Sequence, residues 1–94
     1  MAKAATMGRK RVCLECTAEP GAEVFVAGTF NEWNPAKKPM KPVDDGGRYQ
    51  AVLLLPPGEH EYKYVVGQDW RLDDQNPQWR PNPLGTANSV LRVG

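Results

Sequence analysis

GRYQAVLLLPPGEHEYKYVV, residues 47–66, decides how the rest of the chain is read. In its first half Tyr49, Ala51, Leu53 and Leu55 occupy alternate positions. In its second half Tyr62, Tyr64 and Val66 share one parity, while Glu61, Lys63 and Val65 share the other. A period of two marks strands, whose successive side chains point to opposite faces. Between the halves, Pro56 to Glu59 is a turn signal, so the stretch predicts a β-hairpin with a loop of about four to five residues.

Working outward, nine Gly and nine Pro punctuate the chain too often for long helices. The segments between them are short and rich in Val, Leu, Tyr and Phe, which predicts strands at 11–17, 23–29, 47–55, 59–66, about 70–73 and 88–93. DDGG (44–47) and VVGQDW (65–70) mark further turns, and 73–85 reads as one long irregular stretch. Six or seven such strands imply an all-β fold of two packed antiparallel sheets. At 94 residues the chain suits a single domain, able to bury roughly two-thirds of its unfolded surface. Residues 1–10 read as a flexible lead-in and 11–94 as the folded module.

Charge narrows the partners. Twelve Lys and Arg against 11 Asp and Glu leave a formal charge of +1, which supplies no field for nucleic acid or an anionic membrane. A neutral partner fits better. No apolar run approaches the roughly 20 residues of a membrane span. The two cysteines form CLEC, Cys13 and Cys16. On a strand, residues three apart lie on opposite faces about 10 Å from each other, beyond the roughly 7 Å between Cα atoms that a disulfide spans. With a single His in the chain, Cys and His cannot complete a four-ligand zinc site. Reduced thiols are expected, in a cytoplasmic protein without metal or cofactor.

Catalytic arrangements are not evident. The acidic pairs Asp44-Asp45 and Asp73-Asp74 are adjacent and read as turn residues rather than as opposed carboxylates. His60 has no Ser or Cys beside it in sequence, although a partner brought near by folding is left open; Ser89 is the only serine. The aromatics say more. Trp33, Trp70 and Trp79 all stand in polar, Pro- or Gly-containing surroundings, FNEWNP, GQDWRL and NPQWRP. Loop tryptophans can cap the ends of a core. Alternatively, an exposed indole beside Lys, Asn and Thr makes a platform for a sugar, whose C–H face lies flat on the ring and whose hydroxyls meet the polar rim. Parity sends Lys63 outward, opposite Tyr62 and Tyr64.

VFVAGTFNEWNP (24–35), YQAVLLLPPGEHEYKYVVGQDW (49–70) and NPLGTANSVLRV (82–93) together resemble the glycogen-binding carbohydrate-binding modules of AMP-activated protein kinase β-subunits, and of isoamylases and glycogen branching enzymes ahead of their catalytic domains. The resemblance spans 12–93. It implies an immunoglobulin-like, early-set β-sandwich and a non-catalytic module that binds α-1,4-linked glucan such as glycogen, starch or maltooligosaccharides. In the resemblance Trp33 and Trp70 stack on glucose, Lys63 bonds sugar hydroxyls, Leu84 wedges into the curved glucan, and Thr86 and Asn88 are hydrogen-bonding partners. The chain departs from the pattern in having VGQDW before its second tryptophan, Glu32 where Asn is common, and a longer 73–83 stretch. Trp79 has no kinase-type counterpart; it either extends the platform or packs beneath its loop, and packing is the favoured expectation. The rival reading is an architectural or protein-interaction sandwich within a larger enzyme or kinase complex, with no sugar binding of its own.

Overall fold

The computed structural model describes residues 8–94, so most of the lead-in expected at 1–10 lies outside the described residues. Eight strands run β1 Lys10–Thr17, β2 Val24–Gly28, β3 Lys41–Pro42, β4 Arg48–Leu55, β5 Gly58–Val66, β6 Asp69–Arg71, β7 Trp79–Pro81 and β8 Ala87–Val93. Single 3-10 turns at Thr29–Asn31 and Pro35–Lys37 follow β2. The strands form two antiparallel sheets, one in the order β1-β4-β3 and the other β2-β5-β8-β7, with β6 paired to β5 beyond the end of β8. Alternate residues of β1 and β4 meet alternate residues of β2 and β5 in a single core, so the chain is the expected all-β sandwich.

The expected hairpin at 47–66 does not form. β4 pairs with β1 along its whole length, from Lys10↔Leu55 to Thr17↔Arg48, whereas β5 pairs with β2, β6 and β8. Only Pro56 and Pro57 separate β4 from β5. Neither proline has an N–H to contribute to a ladder and both hold φ near −65°, so the chain does not fold back on itself in one sheet. It crosses instead to the opposite sheet. Gly58 follows at φ 128°, a conformation closed to other residues, and His60 Nε2 donates to the Pro56 carbonyl at 2.9 Å across the corner. The partner that folding brings to His60 Nε2 is thus a backbone carbonyl.

The alternation read from the sequence is kept. Leu53, Leu55, Tyr62, Tyr64 and Val66 are buried between the sheets, and each fully buried aliphatic side chain contributes about 1.5–3 kcal/mol. Cys13 is exposed and Cys16 buried, both free, as opposite faces require. Burial pushes the Cys16 thiol up to about 11. β3 and β7 were not expected, because Pro42 and Pro81 lie within them; both are edge strands, where a missing N–H is tolerated.

Asp73 is more than the turn residue expected. Its Oδ1 does accept from the Gln75 amide at 3.1 Å, but the side chain is buried. Oδ2 accepts from the Tyr62 hydroxyl at 2.7 Å, and the single Tyr64 hydroxyl proton is shared between Oδ2 at 3.1 Å and the Glu15 carbonyl at 3.0 Å. The Asp73 amide donates to Ser89 Oγ at 2.9 Å, which places the only serine in a structural role.

Two predictions follow from this packing. A Cβ on Gly28 would lie 2.4 Å from the Glu61 carbonyl oxygen and 2.7 Å from the Phe30 ring, so Gly28→Ala should lose about 3 kcal/mol of stability in urea unfolding. Wild-type stability would show that the strands separate freely there. Burial, followed by contact with Asp73, pushes the phenols of Tyr62 and Tyr64 well above the ordinary value near 10. Above about pH 10 the unfolded chain therefore releases protons that the folded chain retains, and stability falls as pH rises, by up to about 1.4 kcal/mol per pH unit for each phenol. Below pH 10 their contribution is fully present. Unfolding midpoints that stay level from pH 9 to 11 would contradict this.

Candidate functional site

β5 presents its tyrosines inward and Glu61 and Lys63 outward. Register extends this outer face across the sheet. Ala27 of β2 lies beside Lys63, Trp70 of β6 lies beside Val65, and Arg80 of β7 lies beside Asn88 of β8. The 3-10 turns after β2 pack against β2 and β5, and bring Trp33 to the same side. All six residues singled out in the sequence, Trp33, Lys63, Trp70, Leu84, Thr86 and Asn88, line one open groove of about 740 Å³. Thr29, Glu61, Pro81, Asn82 and Pro83 complete its lining.

Trp33 is held in a strained turn. Glu32 and Trp33 both have positive φ, 60° and 59°, which costs an L-residue roughly 1–2 kcal/mol. Local hydrogen bonds fix the conformation. Asn31 accepts from the Gly28 amide and donates to the Val26 carbonyl, both at 3.0 Å, and the Trp33 amide donates to the Gly28 carbonyl at 2.9 Å. Asn34 Oδ1 caps the next turn through the Ala36 amide at 3.1 Å. Lys37 bonds Glu32 at 2.6 Å and holds its carboxyl below the usual carboxylate range. The half-buried indole is thereby set at the groove while Trp70, 47% exposed, stands on β6.

The opposite wall is the 82–86 loop. Leu84 at its tip is 89% exposed, an unusual position for a leucine. Lys63 Nζ donates to Thr86 Oγ1 at 3.1 Å, and Asn82 Nδ2 donates to the same oxygen at 2.8 Å. Asn88 is buried. Its Oδ1 accepts from Asn82 at 3.0 Å, and its Nδ2 donates to Glu61 Oε1 at 2.9 Å. Beyond Glu61, Arg80 bonds both Glu61 and Glu59, at 3.0 and 2.6 Å, and Arg92 bonds Glu59 as well. These arginines hold the Glu59 carboxyl below its ordinary range, Arg80 contributing most. Each pair is exposed and worth little alone, but together they form a chain of bonds that ends on Glu61 in the groove lining.

Counting protons shows what the groove offers. Two donors already occupy Thr86 Oγ1, so its hydroxyl proton is left to donate. Lys63 keeps two N–H donors and Asn88 one. The site thus combines apolar faces from Trp33, Trp70 and Leu84 with a rim of donors, an arrangement that can hold a flat neutral molecule carrying oxygen acceptors on its edge. Trp79 is not part of it. Pairing with Ser89 gives Trp79 the inward parity, yet it is 57% exposed, contrary to the expected packing beneath its loop. β7 is the outermost strand of the wider sheet, and the three-stranded sheet opposite leaves its inner side uncovered. Sequence reading passed over Asn82, Glu61 and Arg80. Asn-Pro at 82–83 is a turn-initiating pair and was the available signal for the first; nothing short of the strand register reveals the other two.

Among the described residues no group of His, Cys, Asp and Glu could hold a metal ion, and no helix is long and apolar enough to cross a membrane. Residues 15–94 match the family described as the glycogen recognition site of AMP-activated protein kinase. Over 76 residues, 81% of this chain, the sequence is 38% identical to 5'-AMP-activated protein kinase subunit beta-2 of Mus musculus and of Homo sapiens. Over 73 residues, 78% of this chain, it is 37% identical to subunit beta-1 of Sus scrofa, and that match covers 56% of the relative. The chain spans about a quarter of the length of the beta-2 relatives, 27% in mouse and 26% in human. On the match across residues 15–94, the chain belongs to the glycogen recognition family of AMP-activated protein kinase.

Proposed function

We propose that residues 11–94 form a non-catalytic module that binds α-1,4-linked glucan, such as glycogen, starch or maltooligosaccharides, in the groove between Trp33, Trp70 and Leu84. The observation that carries this reading is convergence: six residues scattered from position 33 to position 88 line one groove, and two of its apolar members, Trp70 and Leu84, are openly exposed. Family membership supports the same ligand class. Glucose rings stack on the two indoles, Leu84 enters the concave side of the helical glucan, and Lys63, Thr86 and Asn88 direct their remaining protons to sugar oxygens. Neighbours in a larger assembly, such as a catalytic domain or kinase subunit, belong to the same proposal, as does work in the cytoplasm.

Energetics set the expected affinity. Each aromatic contact contributes about 0.5–1.5 kcal/mol beyond area burial. Hydrogen bonds exchange with water, so each adds only about 1 kcal/mol net. Binding of maltoheptaose should be weak, roughly 10–100 μM, or about −5.5 to −7 kcal/mol.

The rival, an architectural sandwich that binds no sugar, predicts no saturation at millimolar maltoheptaose by a folded domain. Titration followed by tryptophan fluorescence separates the two, and Trp33→Ala and Trp70→Ala should each weaken binding by about tenfold or more. Unchanged affinity in both variants would remove the indole platform. The ligand is neutral, so the dissociation constant should hardly move between 50 and 200 mM salt; a steep loss would indicate an anionic partner. Turnover of the oligosaccharide by purified protein would overturn the non-catalytic assignment.

A further inference from the structure

We infer that Asn82 is a positioning residue of the groove: its side-chain amide holds the Leu84 loop in a ligand-ready shape and turns the Thr86 hydroxyl proton outward. This rests on the proposed glucan reading for its ligand, though not for its geometry.

The Asn82 amide group is fully occupied. Its two protons go to Thr86 Oγ1 at 2.8 Å and Asn88 Oδ1 at 3.0 Å, and its oxygen accepts from the amides of Leu84 at 3.0 Å and Thr86 at 3.2 Å. Its backbone closes the same loop, with the Asn82 amide donating to the Thr86 carbonyl at 2.9 Å and the Gly85 amide to the Asn82 carbonyl at 3.2 Å. Pro83, Leu84, Gly85 and Thr86 are all exposed, so no buried apolar side chain anchors this segment. The loop is wound around one amide. An exposed leucine without such an anchor would sample many positions, and any ligand that needed it in place would bear the entropy of ordering it.

The second consequence concerns the proton. Thr86 Oγ1 can accept from Asn82 only while its own O–H points elsewhere, and Lys63 fills its other accepting position. A donor at Asn82 therefore makes Thr86 a donor toward the groove. Replacing that donor by an acceptor reverses the hydroxyl, which would then donate back to residue 82.

Asn82→Asp tests this largely apart from the loop's backbone shape, because a carboxylate still accepts from the amides of Leu84 and Thr86 but no longer donates to Thr86 Oγ1 or to Asn88 Oδ1. Asn82→Ala removes both. In the ligand-free protein, amide hydrogen exchange at Leu84 and Thr86 should be slow in the wild type and in Asn82→Asp and fast in Asn82→Ala, with core amides unchanged in all three. For maltoheptaose, Asn82→Asp should weaken binding roughly five- to tenfold, and Asn82→Ala by at least as much. In a Thr86→Val background the penalty of Asn82→Asp should fall to the part carried by the lost bond to Asn88, a drop that a merely structural role does not produce. Equal exchange in wild type and Asn82→Ala, or the same loss from Asn82→Asp with and without Thr86, overturns the inference. Protected amides in a wild-type protein that binds no maltoheptaose would support the positioning of the loop and sink the glucan reading instead.

Discussion

The buried Asp73 carboxylate is the contact on which both faces of the five-stranded sheet depend. It accepts from Tyr62 and Tyr64 two residues apart on β5, and its own amide reaches Ser89 on β8. A strand that slipped by one residue would turn Glu61 and Lys63 into the core and the tyrosines into the groove. Hydrophobic patterning opposes that slip, and Asp73 opposes it again by requiring two phenols at one position. A carboxylate buried without such donors is costly, so the same contact that pins the register is the one that makes its own burial tolerable. The edge-to-face packing of the two rings, with centroids 5.7 Å apart, adds to the pin. With parity fixed on β5 and β8, Lys63 and Asn88 have no choice but the outer face.

Strain gathers on the other side of the groove. A bulky residue at positive φ is rare, and here Glu32 and Trp33 are consecutive examples. Without its five local bonds, from Asn31, Gly28 and Asn34 to the Lys37–Glu32 pair, the turn would relax and carry the indole with it. The core gains little from a half-buried indole, so the strain beside the groove supports the proposed role of Trp33 rather than a packing one. The glycine at 28 belongs to the same economy: β2 passes so close to the Glu61 carbonyl that no side chain fits.

Much of this was legible in the sequence, and the exceptions have physical causes. Alternation placed Leu53, Tyr62 and Lys63 on their correct faces, because side-chain parity is a local property. Pairing is not. The same alternation in 47–55 and 59–66 suits two strands of a hairpin or two strands of opposite sheets, and Pro56-Pro57 was read as a turn when the pair, lacking both N–H donors, makes a crossing. The six candidate residues were singled out through family resemblance, and the structure brings all of them to one groove. Asn82 was not, because its part comes from bonds to Thr86 and Asn88 that exist only when the loop is closed. Trp79 was misread because burial at an edge strand depends on the width of the opposite sheet, which no local pattern reports.

In the proposed glucan complex, rim and platform divide recognition between them. Indole faces and an exposed leucine reward any flat apolar surface and supply most of the favourable free energy, but they discriminate poorly among such surfaces. Discrimination falls to the donors. A groove whose free protons lie on Thr86, Lys63 and Asn88 favours ligands that present oxygen lone pairs and leaves those protons unsatisfied against anything that does not, a penalty larger than the gain from each bond made. On the proposed glucan reading, the apolar surfaces therefore set how tightly the ligand is held, and the hydrogen-bonded chain from Arg92 through Glu59, Arg80, Glu61, Asn88 and Asn82 to Thr86 sets which ligand it is.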